Sequence, residues 1–274
     1  MPASQGNELK NVILYKTGVA AAAKSDGRVG DGEVTIEEWE TAEPIKLPNH
    51  EVYQLAAGTL EPVAGIGDLL IVSNYASVNA RNLVVMALGK RLLARRYNVP
   101  DSNPGIAVLT GQAIDPYDLP QPIIVPLDLI EPRKVVGTIF ASHLLFVPLS
   151  DKENEILPLS DAAIVRAALK DARLFQIKGR SAEPIALEGQ FLITHSVEYN
   201  SASLNAAEGQ LVVAVDESGA RYFKRLRLSG PVAVLESLNP DGTTPTELLS
   251  LDGALGLPKL TGLLTVAGVL FELP

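Results

Sequence analysis

Two side chains in this sequence are of types that together can do covalent chemistry. Ser181 lies in the run Gly179-Arg180-Ser181-Ala182-Glu183-Pro184-Ile185, and Lys224 lies in Arg221-Tyr222-Phe223-Lys224-Arg225-Leu226. A serine hydroxyl is a weak nucleophile at neutral pH and needs a base within hydrogen-bond reach. A neutral lysine amine can be that base where no histidine serves. To be neutral, the amine must have its pKa lowered from ~10.4 by burial among apolar groups. In a strand, Tyr222, Lys224 and Leu226 share one face while Phe223 and Arg225 take the other, so a core on the first face would desolvate the lysine. A backbone N–H, that of Ser181 itself, would then hold the oxyanion of an acyl intermediate. The competing reading is structural, with Ser181 a turn residue after Gly179 and Lys224 a strand lysine whose amine stays in water.

Other chemistries lack their residues. The chain has no cysteine, which removes disulfides, thiolate metal sites and a cysteine nucleophile. His50, His143 and His195 stand alone without ligand spacing, so no metal site and no cofactor are expected. Gly27, Gly30 and Gly32 lie among charged residues with no G-K-[ST], which rules out a phosphate loop. Lys and Arg number 23 against 32 Asp and Glu, a net charge of -9 that repels phosphate backbones, so direct nucleic-acid binding is not expected. The one local basic cluster, Arg91, Arg95 and Arg96, reads as a solvated strand end. Residues Met1 to Lys10 are polar and lack the apolar centre of a signal peptide, and no apolar run approaches the ~20 residues of a spanning helix. No membrane partner is expected, and a cytoplasmic location fits the absence of cysteine.

The elements that must position the pair are mainly β. From Glu51 onward, short Val/Ile/Leu-rich segments alternate with Gly, Pro, Asn and Asp: 68–72, 83–88, 105–109, 122–127 and 134–140. Nineteen prolines favour strand edges and turns over helix interiors. One helix is expected over Ser160 to Arg173, capped by Ser160, with Asp161 at its positive end. Residues 1 to 50 stay ambiguous: Val12 to Tyr15 reads as a strand, Ala20 to Ala23 is open between helix and loop, and Trp39 reads as a core anchor.

The second half of the chain repeats the first. Val52-Tyr53-Gln54-Leu55 parallels Leu174-Phe175-Gln176-Ile177, and Thr59-Leu60-Glu61-Pro62-Val63 falls on Ser181-Ala182-Glu183-Pro184-Ile185. Gly67 to Ile71 matches Gly189 to Ile193, and after an insertion in the second copy Asn82 to Val85 matches Gln210 to Val213. Ile106 to Leu109 then matches Val232 to Leu235, and Val136 to Phe140 matches Ala267 to Phe271. The ordered set reads as a duplication. With the polar Ser150 to Glu155 stretch as linker, two β domains are expected at 1–148 and 149–274.

The second copy resembles the C-terminal peptidase domain of LexA-like repressors, a family related to signal peptidases. Gly179-Arg180-Ser181 with Glu183-Pro184-Ile185 is similar to that family's nucleophile segment G-x-S-M-x-P-x-[IL]. Glu188 to Ile193 resembles its D-G-D-[LI]-[VL] strand entry. Gly209 to Val213, followed by Tyr222-Phe223-Lys224-Arg225-Leu226, resembles the hairpin and x-x-K-R-L strand that bear its lysine. Leu235 to Pro240 resembles L-x-S-x-N-P, and Val266 to Val269 the closing strand V-x-G-x-[VI]. The chain departs from the pattern at Ala182, Gln190 and Gln210, and 141–180 holds no Ala-Gly cleavage site. The resemblance implies two tandem LexA-like β domains with a Ser181–Lys224 dyad in the second. In the first, Thr59 stands for the serine and Ala94, Arg95 or Arg96 for the lysine; arginine keeps its proton and cannot act as a base, so that copy should be inactive.

Two functions follow. One is a serine endopeptidase cutting itself or another peptide segment. The other is a non-catalytic interaction module on the same fold, binding a regulatory protein such as a LexA-like or phage-type regulator. Because LexA-like domains dimerise, a fused pair also implies a monomer holding an intramolecular pseudo-dimer. Residues 1–50 show no helix-turn-helix.

Overall fold

A computed structural model describes residues 50–144, 151, 153–159, 162–180, 182–239 and 245–273, together with two strands nearer the start, β1 (Ile13–Ala21) and β2 (Ile45–Lys46). Trp39 lies outside the described residues. The chain divides into two compact units, one built on Lys46–Lys170 and the other on Asp171–Val269. Both are mainly β.

In the first unit β3 (His50–Leu55), β4 (Leu69–Ser73), β5 (Leu83–Leu88), β6 (Arg91–Asn98), β7 (Ile106–Thr110), β8 (Ile123–Pro126) and β9 (Arg133–Ile139) pair antiparallel. β10 (Ile156–Pro158) adds to β3, and a short helix, α1 (Ala162–Leu169), follows. Alternating residues of β5 and β6 fill two apolar clusters. Val84, Met86, Leu93 and Tyr97 face Ala107, Leu109 and Val125, while Val85 and Ala94 face Tyr53, Leu55, Leu60 and Leu70. Sheet faces buried on both sides favour near-continuous apolar segments, which is how these stretches read.

The second unit repeats the scheme with β11 (Arg173–Lys178), β12 (Phe191–Ser196), β13 (Leu211–Asp216), β14 (Arg221–Ser229), β15 (Val232–Glu236), β16 (Glu247–Ser250) and β17 (Leu260–Leu270). The registers correspond. Val52 pairs with Ile71 as Leu174 pairs with Ile193. Val84 pairs with Arg95 as Val212 pairs with Lys224. Val85 pairs with Arg133 as Val213 pairs with Leu264, and Tyr97 pairs with Leu109 as Leu226 pairs with Leu235. Gly67 and Gly189 hold φ at 92° and 88°, left-handed values that a side chain would strain, and each donates its N–H back to the preceding strand, at Leu55 and Ile177. A cis Glu–Pro bond occurs in each unit, at Glu61–Pro62 and Glu183–Pro184.

Several expectations are corrected. The expected helix over 160–173 is only Ala162–Leu169, because Asp171 turns left-handed at φ 59° and Arg173 already belongs to β11; Ser160 and Asp161 lie outside the described residues. The insertion of the second copy contains a helix, α2 (Ser201–Ala207), whose N-cap Asn200 accepts from the Ser203 N–H at 2.9 Å. Within the expected linker, Asn154 and Glu155 are held to β6: the Asn154 side chain accepts from Leu92 N at 2.8 Å and the buried Glu155 accepts from Ala94 N at 3.1 Å. By compactness the first unit extends to Lys170. β1 lies parallel to β11, from Tyr15 opposite Arg173 to Ala21 opposite Lys178, so Ala20 and Ala21 are strand. Among the described residues no helix is long and apolar enough to cross a membrane.

Candidate active site

Lys224 sits in the middle of β14, a strand flanked by β13 and β15, with Val212 directly opposite. Its face carries Tyr222 and Leu226, which pack with Val212, Ala214, Ala233, Leu235 and Leu263. The lysine is 0% exposed, among the largest side chains buried completely. Such burial strips water from the ammonium and holds the Lys224 pKa below its ordinary value, an effect that the nearby Glu247 carboxylate partly offsets. Nζ donates a hydrogen bond to the Pro245 carbonyl, just before β16. The Lys224 amine is thus not in water.

Ser181 lies outside the described residues. Its neighbours are fixed by several contacts. Ala182 is 0% exposed and its carbonyl accepts from Ala186 N at 3.1 Å. On the other side the Arg180 carbonyl accepts from Asn239 Nδ2 at 2.9 Å, and Asn239 is itself only 8% exposed. The Arg180 guanidinium forks onto Glu183 at 2.9 and 3.0 Å across the exposed turn.

The first unit shows what the same two places hold without the pair. Strand register puts Arg95, rather than Ala94 or Arg96, where Lys224 stands. Of the cluster expected to be a solvated strand end, Arg91 is exposed, but Arg95 is buried and ion-paired with Glu155, and the half-buried Arg96 reaches the Arg81 carbonyl at 2.7 Å and Gln112 at 3.0 Å. A buried guanidinium needs a counter-charge, and Glu155 supplies it while also accepting from Ala94 N at 3.1 Å. Thr59, in the place of Ser181, donates its hydroxyl to the Ala94 carbonyl at 3.1 Å. In this unit, then, the hydroxyl position lies against the strand that bears the cationic position, one residue away from it.

Three residues escaped the sequence reading. Glu155 lies 60 residues from Arg95 and leaves no local pattern. Glu247 was hidden because its proximity to Lys224 depends on β16 closing beside β15. Asn239 was visible within Leu235 to Pro240, but its role appears only through its bond to Arg180. Elsewhere, burial raises Asp68 to about 6 although its carboxylate accepts from Gly65 N at 2.8 Å and Ala141 N at 2.7 Å. Among the described residues no group of three His, Asp or Glu is placed to hold a metal ion. No family model, curated protein or solved structure matches this chain.

Proposed function

We propose that this chain is a duplicated LexA-like protein whose second unit is a serine–lysine peptidase, cutting a peptide segment of its own chain or of another protein. The observation that carries the reading is the complete burial of Lys224 on an apolar strand face, with its pKa held down by desolvation. A neutral amine donates one N–H to Pro245 and keeps its lone pair to accept a proton from a serine hydroxyl. Ser181 Oγ would attack the scissile carbonyl as its proton passes to Lys224 Nζ. The resulting ammonium would return that proton to the leaving amine, and water activated by the same amine would release the acyl group. Asn239 supports the reading by fixing the carbonyl just before Ser181. In the first unit the same positions hold Thr59 and a charged Arg95, which has no lone pair to offer.

Fluorophosphonate labelling across pH 7 to 10 tests this. Wild type should be labelled at Ser181 more strongly as pH rises and more lysine is neutral, and Ser181→Ala or Lys224→Ala should abolish the label. An unlabelled, intact wild type throughout that range would favour the second reading, a non-catalytic module that binds a regulatory protein. That reading is favoured by one observation: the first unit keeps the same strand registers with Thr59 and an Arg95–Glu155 ion pair in place of the dyad. On either reading we place the protein in the cytoplasm, as a monomer.

A further inference from the structure

The first unit carries a groove of about 580 Å3, within the range of clefts that hold small ligands or a short stretch of peptide. Thr59, Glu61, Ile66, Ile114, Asp115 and Asp118 are among the residues that line it. Its surface has two characters. Two of its apolar side chains, Ile66 and Ile114, are 53% and 70% exposed, and Ala57, Ala113 and Pro120 line it beside them. Exposed apolar side chains scattered singly need no explanation, but two large ones lining one concave surface make it a candidate contact site. The second character is negative charge. No salt bridge within the described residues engages Glu61, Asp115 or Asp118; Asp115 only caps its own turn, accepting from Tyr117 N at 2.9 Å. These carboxylates are too dispersed to hold a metal ion, since no group of three acidic or histidine side chains among the described residues is so placed.

An apolar trough lined by separated, unpaired carboxylates is complementary to an extended chain that alternates cationic and apolar side chains. We propose that this groove binds an extended segment of another protein in which Arg or Lys alternates with small or branched apolar residues. The groove lies in the first unit, where Thr59 stands in the place of Ser181, and it contains neither Ser181 nor Lys224; the proposal therefore stands whether or not the second unit cuts peptides.

The test is fluorescence anisotropy of the full chain with a labelled Ala-Arg-Leu-Arg-Leu-Arg-Ala peptide, in which the cationic side chains share one face of the extended chain, and its counterpart with Glu for Arg. Wild type should bind the Arg peptide at least about tenfold more tightly than the Glu peptide, and the binding should weaken as salt is raised. The triple variant Glu61→Gln, Asp115→Asn, Asp118→Asn, which keeps the cap because Asn also caps, should lose about tenfold in affinity. Ile114→Ser, a substitution at an exposed position, should weaken binding without reducing the salt dependence. Equal binding of the two peptides, an undiminished triple variant, or no binding to wild type overturns the proposal. A concentration-dependent dimer that the Arg peptide dissociates would also overturn it, assigning the groove to a second copy of this chain.

Discussion

An ammonium group removed from water must find a partner or shed its proton, because desolvation alone costs several kcal/mol. Lys224 is fully buried with a lowered pKa, so between its folded value and the unfolded ~10.4 the unfolded chain binds more protons and stability rises with pH. Lys224→Met keeps the volume and removes the charge. It should be more stable than wild type at pH 7 by about 1–2 kcal/mol, and its advantage should shrink as pH approaches ~10. Urea midpoints of the two proteins, compared across pH, check this; a constant difference would mean the amine is solvated. Asp68 has the opposite pH signature. Its folded value of about 6 exceeds the usual carboxylate value, so its contribution to stability is complete below about pH 4 and is lost as pH rises through 6. A carboxyl carbon titration by NMR should place its midpoint near 6. A midpoint near 4 would show that the two backbone N–H bonds outweigh burial.

Among the elements, β6 and β14 hold corresponding registers in the two units, and their neighbours differ in how they answer a buried cation. Beside β14 the Pro245 carbonyl accepts from Lys224; beside β6 Asn154 and Glu155 accept from the Leu92 and Ala94 N–H groups, and Glu155 pairs with Arg95. Glu155→Ala should therefore cost about 3–5 kcal/mol in urea unfolding, because it leaves a buried guanidinium uncompensated, while Arg95→Met with Glu155→Leu should cost far less. Asn239→Ala should cost about 1 kcal/mol through its lost bond to the Arg180 carbonyl, and it should reduce labelling of Ser181 by more than that stability loss explains. Strand positions were legible in the sequence because short Val/Ile/Leu-rich runs between turn residues are a local signal, but the internal similarity left the register open between Ala94, Arg95 and Arg96 until the strand pairing fixed it. What was not legible depends on distant pairing. Glu155 is a polar residue in a polar stretch until β6 lies beside it, and α2 carries too few apolar residues over its seven positions to show a helical period. The expected helix over 160–173 ran long because apolar spacing does not register the left-handed turn at Asp171.

At the scale of the whole chain, a net charge of -9 keeps molecules apart, and the proposal of a monomer makes light scattering decisive: a mass of 29.1 kDa should hold over a wide concentration range, and a stable dimer at low concentration would contradict it. The molecule holds two answers to one architectural problem, and the Arg95–Glu155 pair limits how one could turn into the other. Changing Arg95 to lysine while Glu155 remains leaves an ammonium beside a carboxylate, charged and useless as a base. Removing Glu155 first strands a guanidinium in the interior. If Lys224 is a base as proposed, each single step toward a like site in the first unit passes through a charged amine or an unpaired guanidinium, so the Arg95–Glu155 pair would act as a ratchet in sequence space. Single substitutions at that pair would then lead away from the Lys224 arrangement more readily than toward it.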